Sequence, residues 1–297
     1  MPATSANLGP GFDCLGMALN LYNYLEVWES DSLEIEVRGQ GHAQIPTDAR
    51  NLTYQAMRQL FMRVGEQMPP YRLIQYNKIP MSRGLGSSAT AIVSGLVAAN
   101  ELIKNPLERN ELLEMAADME GHPDNVTPCM LGGLTVSERT ETGIVYLKSS
   151  VSSKLRFVAL IPSFALSTES ARAVLPDVYP KHDVIHSIAR ASFMFAGLER
   201  GNQFLLRQGC QDVLHQPYRK GLIRGWDDVM QSVWDAGAYA AFLSGAGPSI
   251  LCIYSKHNTS FVQQLQYSLP TDLWQVRKLS VQNAGAKIIQ EPTGHAN

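Results

Sequence analysis

The segment IPMSRGLGSSATAI, residues 79–92, joins a predicted strand to a predicted helix through a loop rich in glycine and serine. Glycines such as Gly84 and Gly86 let a backbone approach a ligand closely, and the first N–H groups of a helix are unpaired and positively polarised. This combination is typical of a phosphate site. The hydroxyls of Ser87 and Ser88 offer further hydrogen bonds, one of them to a Mg²⁺ ion. A plain strand-to-helix turn with a serine cap is the alternative that these residues alone leave open.

Two well-known phosphate-binding loops can be compared with this segment by their spacing. A Walker P-loop has a lysine directly after its second glycine, and no lysine follows Gly86. A dinucleotide-binding fingerprint would accept Gly84, Gly86 and Ala89, but it also needs an acidic residue ending a second strand about 20 residues further on. The sequence there is KNPLERN, which is predicted as a loop between helices. The dinucleotide interpretation is therefore weak.

Two more glycine-rich segments lie far from this loop in the chain. PATSANLGPGFDCLG spans residues 2–16, and LSGAGPSIL spans residues 243–251. EGHPDN, at residues 120–125, lies between them. Each segment taken alone favours a tight turn over a binding site. The set and its order carry more information than any one member.

In this order the segments resemble the GHMP kinase superfamily, whose members phosphorylate small-molecule alcohols with ATP. PATSANLGPGFD and GLGSSAT are similar to the homoserine kinases in particular, and the resemblance runs from residue 2 to the end of the chain. It implies an α+β, two-domain GHMP kinase fold with the active site between the domains. The N-terminal domain, residues 1–150, would be like domain 2 of ribosomal protein S5, and the C-terminal domain, residues 151–297, would be ferredoxin-like. The serine-rich KSSVSSK suggests this boundary.

The resemblance also implies an activity and a nucleotide site. The activity would be ATP-dependent phosphorylation of the side-chain hydroxyl of L-homoserine to O-phospho-L-homoserine, a step in threonine biosynthesis. Ser88 and Glu120 would hold Mg²⁺. The residues implied to bind ATP are Asn51, Lys78, Pro80, Met81, Ser82, Arg83, Gly84, Leu85, Gly86, Ser87, Ser88, Ala89 and Thr90.

An amino-acid alcohol makes three chemical demands on the remaining site residues. Its carboxylate needs cations, and Arg172 and Arg219 offer planar two-donor recognition. Its ammonium needs acceptors such as Asn7 and Asp13, and its hydroxyl needs an acceptor that orients or deprotonates it, for which Asp124 is the candidate catalytic residue. By resemblance the substrate-binding set is Asn7, Asp13, His122, Thr168, Arg172 and Arg219, with Gly245–Gly247 shaping the phosphate and substrate end of the cleft. Any one of these charges alone is better explained as a solvated surface residue.

Hydrophobic periodicity predicts the elements that must position these residues. Strands and helices mix without strict βαβ alternation, which favours the α+β class. Strands are predicted at residues 19–28, 33–38, 71–79, 132–138, 143–148 and 155–163; helices at 51–67, 89–103, 107–121, 182–200 and 222–236; then a strand–turn–strand at 238–255 and a final helix and strand to about residue 290.

Composition limits the class of protein and of partner. The 297 residues are 45% apolar and allow one large or two ordinary domains. With 25 basic and 27 acidic residues, neither nucleic acid nor an anionic membrane is expected as the main partner. Four scattered cysteines predict reduced thiols rather than disulfides or a zinc site. No apolar run approaches the roughly 20 residues of a membrane span. We therefore expect a soluble, cytoplasmic protein acting on a small molecule, and a homodimer is left open.

Three alternative functions compete with this interpretation. Another GHMP kinase, acting on a sugar or mevalonate, is disfavoured by the arginines in STESAR and PYRK. An NAD-dependent oxidoreductase would bind NAD instead of ATP with Mg²⁺. A non-catalytic regulatory protein with a kinase fold is disfavoured by the complete set of Ser88, Glu120 and Asp124.

Overall fold

The computed structural model describes residues 1–289, which form three β-sheets and ten α-helices. The strands are β1 (Pro2–Ala6), β2 (Leu15–Tyr22), β3 (Tyr24–Glu29), β4 (Glu34–Gly39), β5 (Tyr71–Asn77), β6 (Leu134–Thr140), β7 (Gly143–Ser149), β8 (Leu155–Pro162), β9 (Ala240–Leu243), β10 (Ile250–Ser255) and β11 (Trp274–Leu279). The helices are α1 (Leu52–Val64), α2 (Ser87–Leu102), α3 (Arg109–Glu120), α4 (Pro123–Leu131), α5 (Thr168–Ala173), α6 (Lys181–Arg200), α7 (Gln203–Gly209), α8 (Gln216–Arg219), α9 (Trp226–Asp235) and α10 (Phe261–Ser268).

The predicted strand at residues 19–28 is two strands of different sheets. The chain breaks at Asn23, so that β2 joins the sheet β1-β2-β6-β7 and β3 joins the sheet β3-β5-β4. The buried Asn23 amide holds this break, because its Oδ1 accepts hydrogen bonds from the N–H groups of Lys78 and Ile79 at 2.8 and 3.0 Å. Strands β3 and β4 do not pair with each other as adjacent strands commonly do, since both pair with β5.

Two elements occur where the sequence suggested only turns. Strand β1 is buried along its whole length and pairs with β2. Helix α4 starts at Pro123 in EGHPDN, and all nine of its residues are buried. A proline in the first turn is a helix-start signal that could have revealed α4, because its missing N–H and fixed φ suit that position. Helix α2 also begins earlier than predicted, at Ser87 instead of Ala89.

The third sheet has the antiparallel order β11-β8-β10-β9, which is the strand order of a ferredoxin-like unit. After β11 the chain returns to the first sheet. Val281 pairs with Leu19, and the N–H of Gln282 donates to the carbonyl of Ala18 at 2.9 Å. The last part of the predicted 151–297 span therefore packs on the first half of the chain, and the boundary near residue 150 stays a prediction.

The four cysteines carry free thiols, and three of them, Cys129, Cys210 and Cys252, are buried. This agrees with the expectation that they form no disulfide frame. Within residues 1–289 no helix combines the length and apolar character needed to cross a bilayer.

Gly16 gives the first testable prediction, because strand β2 passes very close to the start of helix α4 at this residue. A Cβ atom at Gly16 would lie 1.9 Å from the carbonyl oxygen of Asp124 and 2.8 Å from the Pro128 ring. We expect Gly16→Ala to lower the free energy of unfolding by about 1–3 kcal/mol through overpacking, measured by urea denaturation. Gly221→Ala is the matched control, since nothing lies within 4 Å of a Cβ there. Equal stability of the two variants would contradict this close approach.

Candidate active site

A cleft of about 400 Å³ lies where the three glycine-rich segments meet. It is lined by every residue predicted for the nucleotide, metal and substrate except Lys78 and Ala89. Gly245 and Gly247 of the third glycine-rich segment line it as well. Residues more than 200 positions apart in the sequence are thus brought to one cavity.

The two exceptions have other surroundings. Lys78 is exposed, and its Nζ lies 5.3 Å from the centre of the Tyr24 ring. Ala89 is fully buried in the core below helix α2. Asn51 does line the cleft, but its side chain caps helix α1 and exchanges hydrogen bonds at 3.1 Å with the amide of Gln75. The hydrogen bonds of its side-chain amide therefore hold the wall of the cleft together.

The phosphate loop, residues 80–90, is packed too tightly for side chains at its glycines. Gly84 and Gly86 have φ values of +70° and +69°, in the left-handed region that favours glycine. A Cβ at Gly84 would lie 2.0 Å from the Ser244 carbonyl oxygen, and one at Gly86 would lie 1.9 Å from Thr4 Oγ1. The loop leads directly into the N-terminus of α2, where free N–H groups and the helix dipole favour an anion.

The guanidinium of Arg83 is directed at carbonyl groups. Its Nε donates to the Pro162 carbonyl at 2.9 Å, its Nη2 to that of Ser163 at 2.7 Å and its Nη1 to that of Met81 at 3.1 Å. Burial lowers the pKa of Arg83. The side chain therefore ties the phosphate loop to the end of β8, and the loop offers its backbone to a ligand.

Ser88 and Glu120 form an oxygen pair beside the loop. Ser88 Oγ donates a hydrogen bond of 2.7 Å to Glu120 Oε2, which joins the start of α2 to the end of α3. Burial raises the pKa of Glu120, while the hydrogen bond from Ser88 and the charge of His122 act in the opposite direction. A carboxylate and a hydroxyl are the hard oxygen ligands that Mg²⁺ prefers. A cation here would also remove the penalty of burying the carboxylate.

Asp124, His122 and Asp13 form an acidic cluster that also lines the cleft. The His122 Nδ1 lies 2.5 Å from Asp124 Oδ1. Burial opposes the charged form of His122, but the hydrogen bond and charge of Asp124 outweigh it and raise the pKa of His122. One ligand atom of each of the three residues lies within 4.8 Å of the others. Asp124 Oδ2 makes no hydrogen bond within the described part of the chain, which leaves it for a ligand.

Arg172 and Asp13 bind each other, although the sequence suggested that each would bind a separate group of the substrate. Nη1 and Nη2 of Arg172 donate to the two carboxylate oxygens of Asp13 at 3.0 and 2.6 Å. Burial favours the neutral form of Arg172, but the hydrogen bonds and charge of Asp13 prevail and raise its pKa. The pair is partly exposed and lines the cleft.

Arg219 and Asn7 are anchored to the third glycine-rich segment. Arg219 is only 1% exposed, and its Nε donates to the Ala171 carbonyl at 2.9 Å while its Nη1 donates to the Gly245 carbonyl at 3.3 Å. Burial, with the charge of Arg172, lowers the pKa of Arg219 to about 10, so that it remains protonated at neutral pH. Asn7 Nδ2 donates to the same Gly245 carbonyl at 2.8 Å.

Several cleft residues were not identified from the sequence. The Phe12 ring lies 5.4 Å from the guanidinium carbon of Arg172 and 5.3 Å from that of Arg219, within the range of a cation–π contact. Asn125 accepts a 2.7 Å hydrogen bond from Thr4. Phe12 and Asn125 directly adjoin predicted site residues, so their position in the motifs is the signal that could have found them.

Comparison with known proteins supports the family that the sequence motifs suggested. The family model for the GHMP kinases N terminal domain matches residues 51–133, and that for GHMP kinases C terminal matches residues 194–288. The chain is 44% identical over 266 residues to a homoserine kinase of Desulfitobacterium hafniense, with 89% of each chain covered. It is 42% identical over 293 residues to one of Clostridium beijerinckii, with 98% of this chain and 97% of that one covered.

Solved structures agree with these relatives. The crystal structure of homoserine kinase from Cytophaga hutchinsonii matches with a TM-score of 0.86 at 28% identity, covering 97% of this chain and 95% of that one. A mevalonate kinase of L. major matches with a TM-score of 0.72 at 17% identity over 96% and 95% of the two chains, which is a likeness of fold alone. The predicted α+β, two-domain GHMP kinase fold is confirmed.

Proposed function

The chain belongs to the homoserine kinases of the GHMP kinase family, and from this premise we propose that it phosphorylates L-homoserine with ATP. The product is O-phospho-L-homoserine, a precursor in threonine biosynthesis. An amino acid is proposed as the substrate chiefly because of the Arg172–Asp13 ion pair, which lies in the same cleft as the phosphate loop.

This ion pair is complementary to a zwitterion. An amino acid presents a carboxylate and an ammonium one carbon apart, and it can exchange one protein ion pair for two new ones without leaving a charge unpaired. The carboxylate would take donors from Arg172 and Arg219, and the ammonium would lie beside Asp13 in the acidic cluster. A sugar or mevalonate has no ammonium to pair with Asp13. A bound neutral alcohol would therefore leave Arg172 and Asp13 bound to each other.

The phosphates of ATP are proposed to lie along the loop from Pro80 to Thr90. The loop and the first turn of α2 offer backbone N–H groups at the positive end of the helix dipole, and phosphoryl transfer requires mainly positioning and neutralisation of charge. Because the loop is fixed at Gly84 by the Ser244 turn, these donors are already arranged before the ligand arrives.

Ser88 and Glu120 are the residues that would hold Mg²⁺. Both offer oxygen atoms, and they already lie 2.7 Å apart beside the α2 N-terminus. The chemistry that Mg²⁺ supplies when bound is neutralisation of charge on the phosphate oxygens. The protein contributes two fixed ligands at the junction of α2 and α3.

Asp124 is proposed to accept a hydrogen bond from the homoserine hydroxyl through Oδ2 and to take its proton during transfer. His122 supports this role, since its hydrogen bond to Oδ1 fixes the carboxylate at the start of α4. The α4 N-terminus stabilises the negative charge of Asp124 between turnovers.

Substrate choice tests the function directly. Wild-type protein should release ADP with homoserine, while the neutral carboxamide of homoserine should lose on the order of 10²-fold or more in kcat/KM, because it leaves arginine charges unpaired. Arg172→Ala should lower activity on homoserine and shrink this ratio. The control is Arg139→Ala, which breaks an exposed ion pair with Asp118 outside the cleft. Equal use of both compounds by the wild type would refute carboxylate recognition.

Glu120→Gln tests the metal site. The variant keeps the shape and loses the charge, so turnover should fall at least tenfold, about 1.4 kcal/mol of barrier, and half-maximal activity should require more Mg²⁺. Glu114→Gln serves as the control on the same helix, since Glu114 does not line the cleft. An unchanged Mg²⁺ dependence in Glu120→Gln would remove this residue from the metal site.

Asp124→Asn separates proton transfer from positioning. A general base contributes about 10²–10⁴-fold, and a fall of that size in kcat with little change in KM is expected. Steady-state kinetics over homoserine and ATP concentrations measure it. A fall below tenfold with unchanged homoserine KM would mean that Asp124 only orients the hydroxyl.

A further inference from the structure

His215 is a fully buried histidine that takes no part in the mechanism above. It lies in the segment HQPYR, immediately before helix α8, with 0% of its side chain exposed. Its Nε2 lies 2.8 Å from the carbonyl oxygen of Gly9, and its Nδ1 lies 3.2 Å from Nη1 of Arg219. The imidazole therefore joins the first glycine-rich segment to the buried arginine of the cleft.

These two contacts determine where the imidazole carries its hydrogen. A guanidinium only donates hydrogen bonds, so Nδ1 must accept and is unprotonated. A carbonyl oxygen only accepts, so Nε2 carries the hydrogen. The neutral Nε2–H tautomer satisfies both neighbours. Burial, chiefly, and the charge of Arg219 lower the pKa of His215, although the charge of Asp212 acts against them.

Asp212 faces the same ring without requiring it to be charged. Its carboxylate oxygen lies 3.2 Å from Nε2. The same carboxylate also accepts the backbone N–H groups of Leu214, His215 and Gln216 at 2.8, 3.2 and 2.7 Å. These hydrogen bonds stabilise its negative charge, so a neutral imidazole can lie beside it.

The contacts of Arg219 leave one of its nitrogens for a ligand. Nε donates to the Ala171 carbonyl, and Nη1 donates to His215 and to the Gly245 carbonyl. Nη2 makes no hydrogen bond with any of residues 1–289. Since a guanidinium is planar, fixing Nε and Nη1 also fixes the direction of Nη2.

We propose that His215 is a positioning residue, whose neutral imidazole holds the Arg219 guanidinium so that Nη2 meets the carboxylate of the bound amino acid. The inference rests on the proposed function, because it deepens carboxylate recognition at that site. His215 does not touch the substrate and acts through Arg219. Its loss is therefore expected to change the affinity for homoserine and the discrimination between carboxylate and carboxamide, and not the rate of transfer at saturation.

Two substitutions separate the roles of the two ring nitrogens. An asparagine amide reaches the place of Nδ1, so His215→Asn can keep an acceptor for Arg219. A glutamine amide reaches the place of Nε2, so His215→Gln can keep a donor for Gly9 and loses that acceptor. Because hydrogen bonds to charged groups contribute about 1.5–3 kcal/mol, we expect His215→Gln to raise the homoserine KM about ten- to a hundredfold. The ratio of kcat/KM for homoserine to kcat/KM for its carboxamide should fall in this variant, and kcat and the KM for ATP should change less than about threefold.

His215→Asn should keep most of the wild-type ratio of kcat/KM for homoserine to kcat/KM for the carboxamide. Retention of this ratio in His215→Asn but not in His215→Gln distinguishes positioning from packing. Equal loss in both variants, with equal loss of thermal stability, would overturn the proposal in favour of a packing role. An unchanged homoserine KM in folded His215→Gln would overturn it as well.

The ¹⁵N NMR spectrum of the wild-type imidazole needs no variant, and a protonated Nδ1 at neutral pH would contradict the assigned tautomer. Wild-type activity on homoserine tests the proposed function separately.

Discussion

The contact between Gly84 and Ser244 is the constraint on which the cleft depends. There is no space for a side chain at Gly84, and Ser244 Oγ donates a 2.5 Å hydrogen bond to the Gly84 carbonyl. The phosphate loop belongs to the first half of the chain, and the Ser244 turn follows strand β9 of the third sheet. The loop is thus shaped by a turn 160 residues away, and the proposed anion site lies where these two parts meet.

Charge in the cleft is organised as two ion pairs, and the proposed substrate would exchange the partners of one of them, Asp13 with Arg172. Asp13 with Arg172 and His122 with Asp124 are partly or fully buried, and removing one partner of such a pair leaves an uncompensated charge. A zwitterionic ligand supplies both signs at once and so avoids that penalty. Arg219 differs, because its partners are carbonyls and an imidazole rather than a carboxylate, and its positive charge is the one proposed to meet the substrate carboxylate.

The sequence predicted which residues line the cleft better than it predicted their contacts. Glycine spacing and local residue types are properties of short segments, so the phosphate loop and the helix start at Ser87 could be located to within two residues. The Arg172–Asp13 pair joins residues 159 positions apart, and no local pattern encodes which acceptor an arginine chooses. The break at Asn23 was missed for the same reason, since it is fixed by hydrogen bonds to Lys78 and Ile79 on a distant strand end.

The arginines of the cleft illustrate how similar residues acquire different roles through their neighbours. Arg83 lies in the phosphate loop, yet its donors bind carbonyls at the end of β8, so it joins the two halves of the chain. Arg172 is held by the Asp13 carboxylate, and in the proposed complex it would bind the substrate carboxylate instead. Arg219 is held at Nε and Nη1, and its Nη2 has no hydrogen-bond partner among residues 1–289. Because a fixed donor loses little entropy on binding while an exchangeable pair adjusts to its ligand, the two together combine orientation with charge balance.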